Sequence, residues 1–109
     1  MKKSFIELEQ ERMEWSLKIF DEATAESSLI KCEEEIEEIR KDLLNGTPKA
    51  EEYVDAIMCL FDSARRAGFD VHEMRDAYEG KNQKNIHERK WFKNHDNTYS
   101  HYKKNNFIL

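Results

Sequence analysis

The scarcity of helix-breaking residues restricts the fold of this chain more than any other feature. One proline and three glycines occur in 109 residues, and these are the residues that interrupt helices most strongly. Residues with β-branched side chains never alternate over a length that would favour a strand. The sequence therefore predicts an all-α fold of four to five helices.

Capping signals and glycines mark the predicted helix boundaries. The helices are expected at about 4–20, 28–44, 48–67 and from 71 through Tyr78, with Gly80 as a weak point and a continuation as far as Trp91 left open. We expect a helical domain over residues 1–92. Residues 93–109 lack periodicity, which predicts a loop-like or extended tail that could form part of a substrate site.

The apolar positions predict how the helices pack. The second helix carries a stripe at Leu29, Cys32, Ile36, Ile39 and Leu43. The third helix is the most apolar and is predicted to be central, with a polar edge at Glu52, Asp55, Cys59, Asp62 and Arg66. Charged residues make up 38% of the chain, and a chain of this size buries only about two-thirds of its unfolded surface. We therefore expect homo-oligomerisation to complete the helical bundle.

Charge and cysteine usage limit the class of partner. The net charge of −5 argues against non-specific nucleic-acid binding, although the basic segment 81–104 could meet phosphates. Cys32 and Cys59 lack metal-ligand spacing, and no secretory signal is recognised, which predicts reduced thiols and a cytoplasmic location. No apolar run approaches the ~18 residues of a membrane span, so no membrane partner is expected.

Two acidic pairs, each embedded in a predicted helix, carry most of the functional information. Glu35 and Glu38, and then Glu52 and Asp55, are spaced i, i+3, so each pair shares a helix face. If the two helices lay side by side, four carboxylates would crowd together and repel unless cations occupied the site. Such oxygen ligands suit Mg²⁺, with Mn²⁺ as an alternative. The competing interpretation is a solvated acidic surface.

A second candidate group combines cations and aromatic residues. Lys81, Asn85 and Arg89 are spaced four apart, so on a helix they would line one face that could bind phosphates. Aromatic and imidazole side chains that could contact a base are Trp15, Trp91, Tyr99 and His101. Packing is the alternative for these rings, and it is favoured for Trp15 and Tyr99.

These residues resemble a known superfamily. Glu34-Glu35-Ile36-Glu37-Glu38 followed by Glu52-Tyr53-Val54-Asp55 is similar to the acidic motifs of the MazG-like all-α nucleoside triphosphate pyrophosphohydrolases. Further segments resemble a branch of small, often phage-encoded, dATP/dGTP pyrophosphohydrolases: EWSLKIF, DSARRAG, KNQKN with Arg89 and Trp91, and YSH. The resemblance covers roughly residues 14–101. Close relatives tend to have histidine where this chain has Lys31.

The resemblance implies a helical subunit that forms a homodimer or homotetramer and hydrolyses a purine nucleoside triphosphate, dGTP or dATP, between the α- and β-phosphates. It places Mg²⁺ on Glu35, Glu38, Glu52 and Asp55, with Glu34 as the remaining motif glutamate. The residues it places near the substrate are Lys81, Asn85 and Arg89. For a phage-encoded member the location would be the host cytoplasm.

Three alternatives remain open from the sequence. One is a non-enzymatic helical interaction module that binds a basic partner through its acidic face. The others keep the chemistry and change the substrate to a pyrimidine triphosphate (dUTP or dCTP) or to phosphoribosyl-ATP.

Overall fold

The computed structural model describes residues 2–103, in two compact units that divide between Met74 and Arg75. The secondary-structure elements are α1 (Phe5–Ile19), α2 (Ala25–Asn45), α3 (Ala50–Arg66), α4 (Val71–Gln83), a π-helix (Lys84–Glu88), β1 (Trp91–Lys93) and β2 (Tyr99–His101). Helices dominate the described residues, which confirms the predicted all-α class. The predicted domain boundary after residue 92 stays a prediction.

Capping hydrogen bonds fix the starts of the first two helices. The Glu7 N–H donates to Ser4 Oγ over 3.1 Å, and the Glu7 carboxylate accepts from the Ser4 N–H, so these two residues form a capping box at the predicted start of α1. Helix α2 begins three residues earlier than predicted, because Thr24 and Ser27 form a reciprocal capping box. A serine replaces the usual glutamate or glutamine here, so the sequence signal was weak.

The connection from α2 to α3 differs from the prediction at one end. Gly46 ends α2 in the left-handed conformation, with φ of 72°, as its position after Asn45 predicts. Helix α3 begins at Ala50, two residues later than predicted, and its N-cap residue Lys49 makes no side-chain capping bond. Residues 46–49 thus form the four-residue loop of an αα-hairpin, and α2 and α3 pack extensively against each other.

The second unit departs furthest from the sequence expectations. Helix α4 passes through Gly80 and continues into the π-helix, which closes when the Arg89 N–H donates to Lys84 O over 2.9 Å. The stretch expected to be a loop-like tail contains β2, which pairs antiparallel with β1. The tight turn between them places Asn97 at φ 69°, a conformation that asparagine tolerates. The turn residues, rather than an alternation of apolar and polar residues, form this hairpin, so the strand pattern of the sequence did not predict it.

Helix α3 is central in the first unit, as predicted, because it contacts both α2 and α1. The apolar stripe of α2 is only partly covered, however. Cys32 is buried beside Ala56, whereas Ile36 and Leu43 remain 39% and 55% exposed. Among the described residues the buried apolar side chains are Met13, Cys32 and Ala56. Residues 2–103 therefore bury this stripe only in part.

A buried polar network joins the three helices of the first unit. Asp62 of α3 accepts hydrogen bonds from Ser16 of α1 at 2.7 Å and from Ser28 of α2 at 2.8 Å. It also pairs with Arg12 and Arg66. Burial acts to raise the pKa of Asp62, but these four donors outweigh burial and hold the pKa well below its usual range. Asp62 was expected on the polar edge of α3, and the structure buries it where its hydrogen bonds link α3 to α1 and α2.

No helix among residues 2–103 is both long and apolar enough to cross a bilayer.

Candidate functional site

A hollow of about 490 Å³ in the first unit gathers residues from all three of its helices. Its apolar wall includes Trp15, Phe20 and Met58, and the rings of Trp15 and Phe20 meet edge to face at 5.2 Å. Two of the predicted metal ligands, Glu35 and Asp55, also line it. The remaining lining residues are Arg12, Ser16, Ala23, Ser27, Ser28, Lys31, Cys59 and Asp62. An aromatic wall beside carboxylates suits a ligand that has both a flat ring and a charged end.

The other two predicted metal ligands belong to a second acidic group on the same helix pair. Glu52 of α3 faces Asp42 of α2, and Glu38 is close enough to act on Glu52 electrostatically. Hydrogen bonding with the Asp42 carboxyl, partial burial and the negative charges of Asp42 and Glu38 together raise the pKa of Glu52, against a lowering effect from Lys49. The four predicted ligands thus lie on α2 and α3 in two groups. Glu35 and Asp55 line the hollow, whereas Glu38 and Glu52 lie near Asp42.

The donor chemistry of this region fits a hard divalent cation, because every candidate ligand is a carboxylate oxygen. Glu52 Oε2 and Asp42 Oδ2 are buried and, within the described structure, receive no hydrogen bond from any other residue, so a hydrogen bond between the two carboxyl groups requires that one of them be protonated. Such oxygens are costly unless a proton or a cation satisfies them. The side chains are not drawn together, however, since residues 2–103 contain no group of three or more His, Cys, Asp or Glu residues arranged to hold a metal ion.

Asp42 is the residue of this region that the sequence motifs did not reveal. It follows Glu38 by four positions and Glu35 by seven, so helical spacing places it on the face of the predicted ligands. The spacing alone was a usable signal. Asp42 lies outside both acidic motifs, so the motifs themselves do not indicate it.

The second unit brings together five of the other predicted site residues. Arg89 Nη1 donates to Asn85 Oδ1 over 2.8 Å, and Trp91 Nε1 donates to Asn85 O over 3.0 Å. The Trp91 ring meets the His101 ring at 5.5 Å, across the β1–β2 pair. Lys81 is exposed on α4 and acts electrostatically on His101. The π-helix interrupts the regular i, i+4 face, and the hydrogen bond keeps Asn85 and Arg89 adjacent.

A cationic hollow of about 820 Å³ lies in the second unit. Its lining residues are Lys84, Glu88, Arg89, Lys90, His101, Tyr102 and Lys103. Burial, followed by the positive charges of Arg89, Lys81 and Lys103, lowers the pKa of His101. An excess of cations of this kind suits a phosphate-bearing ligand. Lys84, Lys90 and Lys103 add to the strip predicted from sequence, and their only sequence signal was the general basic character of the segment.

Comparison with known families supplies the decisive observation. A family model described as dATP/dGTP pyrophosphohydrolase matches residues 8–106, most of the chain. The chain belongs to the dATP/dGTP pyrophosphohydrolase family. No curated protein and no solved structure gives a significant match.

Membership of the dATP/dGTP pyrophosphohydrolase family confirms the resemblance drawn from the acidic motifs, and with it the prediction that the protein is a nucleoside triphosphate pyrophosphohydrolase. The matched segment includes both acidic pairs and the second-unit residues from Lys81 to His101. The roles of individual residues stay predictions.

Proposed function

We propose that this pyrophosphohydrolase cleaves a purine deoxynucleoside triphosphate, dGTP or dATP, to the monophosphate and pyrophosphate in a magnesium-dependent reaction. The observation that carries the proposal is the first-unit hollow, in which an aromatic wall and the carboxylates Glu35 and Asp55 line one space. The family match supports the nucleotide chemistry.

The apolar wall of the first-unit hollow is proposed to hold the nucleoside. Trp15 is 53% exposed and presents its ring to the hollow together with Phe20 and Met58. Stacking on such rings stabilises a bound base by about 1–3 kcal/mol and tolerates different bases. The wall therefore supports binding of a nucleobase, while the choice between guanine and adenine rests on the polar residues around it.

The carboxylates Glu35, Glu38, Glu52 and Asp55 are proposed to hold Mg²⁺, or Mn²⁺ in its place. When bound, such an ion supplies Lewis-acid neutralisation of phosphate charge and makes water more acidic. Helices α2 and α3 pack against each other along the hairpin, which places these four positions on neighbouring helices. Glu34, which is on α2 beside Glu35, is proposed to take part in catalysis.

The second unit has groups of its own that are proposed to bind phosphate. Arg89 offers a planar fork for phosphate oxygens, and its hydrogen bond to Asn85 orients that fork. The Trp91 ring contacts the ring of His101, and the charges of Lys81 and Arg89 both act on His101. Replacing Arg89 with Ala is expected to raise KM for the nucleotide about tenfold or more, and replacing it with Lys should restore only part of the loss.

Self-association of this chain is proposed to cover the exposed apolar faces of α2 and α3. Ile36, Leu43, Tyr53 and Ile57 are each about 40–55% exposed, and a folded monomer rarely leaves so many large apolar side chains in solvent. A homodimer or homotetramer would bury them. Sedimentation equilibrium measures the assembly, and a strictly monomeric protein at micromolar concentration would contradict the proposal.

The deciding experiment is a substrate panel with purified protein. Pyrophosphate release is measured from dGTP, dATP, dUTP, dCTP and phosphoribosyl-ATP, each with Mg²⁺ and with chelator. Magnesium-dependent release from a purine deoxynucleotide is expected. Release confined to a pyrimidine or to phosphoribosyl-ATP would reassign the substrate, and release unaffected by chelator would reject the metal.

A further inference from the structure

Lys31 forms ion pairs with two residues of the acidic motif. Its Nζ lies 3.3 Å from Glu34 Oε2 and 3.4 Å from Glu35 Oε1. The three side chains differ in burial, since those of Lys31 and Glu34 are 60% and 64% exposed, whereas that of Glu35 is 12% exposed. The ammonium therefore reaches from solvent to a largely buried carboxylate.

The local stability of α2 does not account for this arrangement. In both pairs the lysine precedes the glutamate, which is the weaker order for helix stabilisation, and an exposed ion pair contributes little. What distinguishes the pairing is its place in the first-unit hollow, which both Lys31 and Glu35 line together with Asp55. In the part of the chain that the structure describes, Lys31 is the cation that pairs with Glu35.

We propose that Lys31 is the resident counter-ion of the acidic site, and that it competes with the divalent cation for Glu35. This inference rests on the proposed function, because it requires Glu35 to be a metal ligand. In the metal-free protein the ammonium offsets the charge of Glu34 and Glu35 and holds Glu35 in the hollow. A divalent ion that binds Glu35 has to displace the ammonium or accept a like charge beside it.

The proposal agrees with the different surroundings of Glu35 and Glu52. Glu35 is held by Lys31, while Glu52 faces Asp42 on the same two helices. Lys31 is thus a positioning residue, whose removal should change metal affinity even when no nucleotide is present.

The test is calorimetric titration of Mn²⁺ into the nucleotide-free protein. Lys31→Met should bind Mn²⁺ about fivefold more tightly than the wild type, because one like charge a few ångströms from the ion is removed. Lys31→Gln should behave in the same way, which guards against a folding defect in one variant. Lys31→Arg keeps the charge and should match the wild type. Mn²⁺ should raise the Tm of Lys31→Met by more than it raises the Tm of the wild type.

Lys3→Met is the matched control, because Lys3 forms an equally exposed ion pair, with Glu11, at the start of the chain. This variant loses the same charge and should leave the Mn²⁺ affinity unchanged. Equal or weaker Mn²⁺ binding by both Lys31→Met and Lys31→Gln would overturn the inference while leaving the metal site in place. Absence of Mn²⁺ binding by every variant and by the wild type would overturn the inference and the proposed metal dependence together.

Discussion

Asp42 of α2 and Glu52 of α3 face each other across the helical hairpin, and each buries one carboxylate oxygen that receives no hydrogen bond from any other residue in the described structure. Two such oxygens attract each other only if a proton or a cation lies between them. At this contact α2 and α3 bring negatively charged side chains close together, which is unfavourable for folding. Sites of this kind are typical of function rather than of stability.

Replacing Asp42 with Asn should stabilise the metal-free protein. The amide N–H can donate to the Glu52 carboxylate, which removes a like-charge contact and supplies the missing donor. We expect the Tm in chelator to rise by a few degrees and the gain to shrink when Mg²⁺ is added. Asp21→Asn, in the exposed turn after α1, loses the same charge and should shift the Tm little. An unchanged or lower Tm for Asp42→Asn would contradict the assigned contact.

Replacing Glu38 with Gln should reduce turnover by about 100-fold or more, because the loss of a direct metal ligand should exceed the 10–100-fold effect of losing an outer-shell partner. Glu38 is exposed, so circular dichroism should show intact helices. Glu33→Gln, an exposed neighbour on α2, should keep full activity. Glu38→Asp separates metal geometry from bulk charge, since only a stereochemical ligand is damaged by the loss of one methylene. A fully active Glu38→Gln enzyme would remove Glu38 from the site.

Replacing Trp15 with Ala should raise KM for the preferred nucleotide about tenfold and leave kcat within a few-fold, because the lost stacking acts on the bound base rather than on the phosphates. Initial rates across a range of nucleotide concentrations measure both constants. Trp15→Phe keeps a ring and should retain most of the affinity. Equal losses of affinity in both variants would point to packing against Phe20 as the role of Trp15.

Replacing Asp62 with Asn should lower the free energy of unfolding by about 3 kcal/mol, because Arg12 and Arg66 would lose their buried carboxylate partner. Urea denaturation at pH 7 measures the loss. Asp21→Asn serves again as the control for an exposed aspartate.

The lowered pKa of Asp62 also predicts how the stability of the wild type and of Asp62→Asn should change with pH. The folded-state pKa of Asp62 lies below its value in the unfolded chain, so its contribution is complete above pH of about 4 and is lost as the pH falls further. Wild-type stability should therefore decline between about pH 4 and pH 2 more steeply than that of Asp62→Asn. Parallel declines would show that the hydrogen bonds to Asp62 do not lower its pKa in solution.

Much of the architecture was predictable because its causes are local. The capping box at Ser4, the left-handed Gly46 and the Asp70–Glu73 pair at the start of α4 are fixed by residues three or four positions apart. The start of α2 and the hairpin after the π-helix were not predicted, since weak capping and turn signals decide them. The stripe on α2 predicted a face that packs, and residues 2–103 cover it only in part.

By itself the sequence determined the helical class, the acidic pairs at i, i+3 spacing and the family resemblance, because helix periodicity and motif spacing are properties of the chain alone. Only the tertiary structure decided that Asp42 opposes Glu52, that Lys31 holds Glu35 in the first-unit hollow and that Asp62 is an internal tie between three helices. The first and the last depend on which side chains α1, α2 and α3 bring within a few ångströms of one another. Lys31 and Glu35 are i, i+4 neighbours on α2, and helix packing decides only that they line the hollow. Asp42 and Glu52 are separated by about 10 positions along the chain, and Asp62 meets Ser28, Ser16 and Arg12 from 34, 46 and 50 positions away, so no local pattern encodes these contacts.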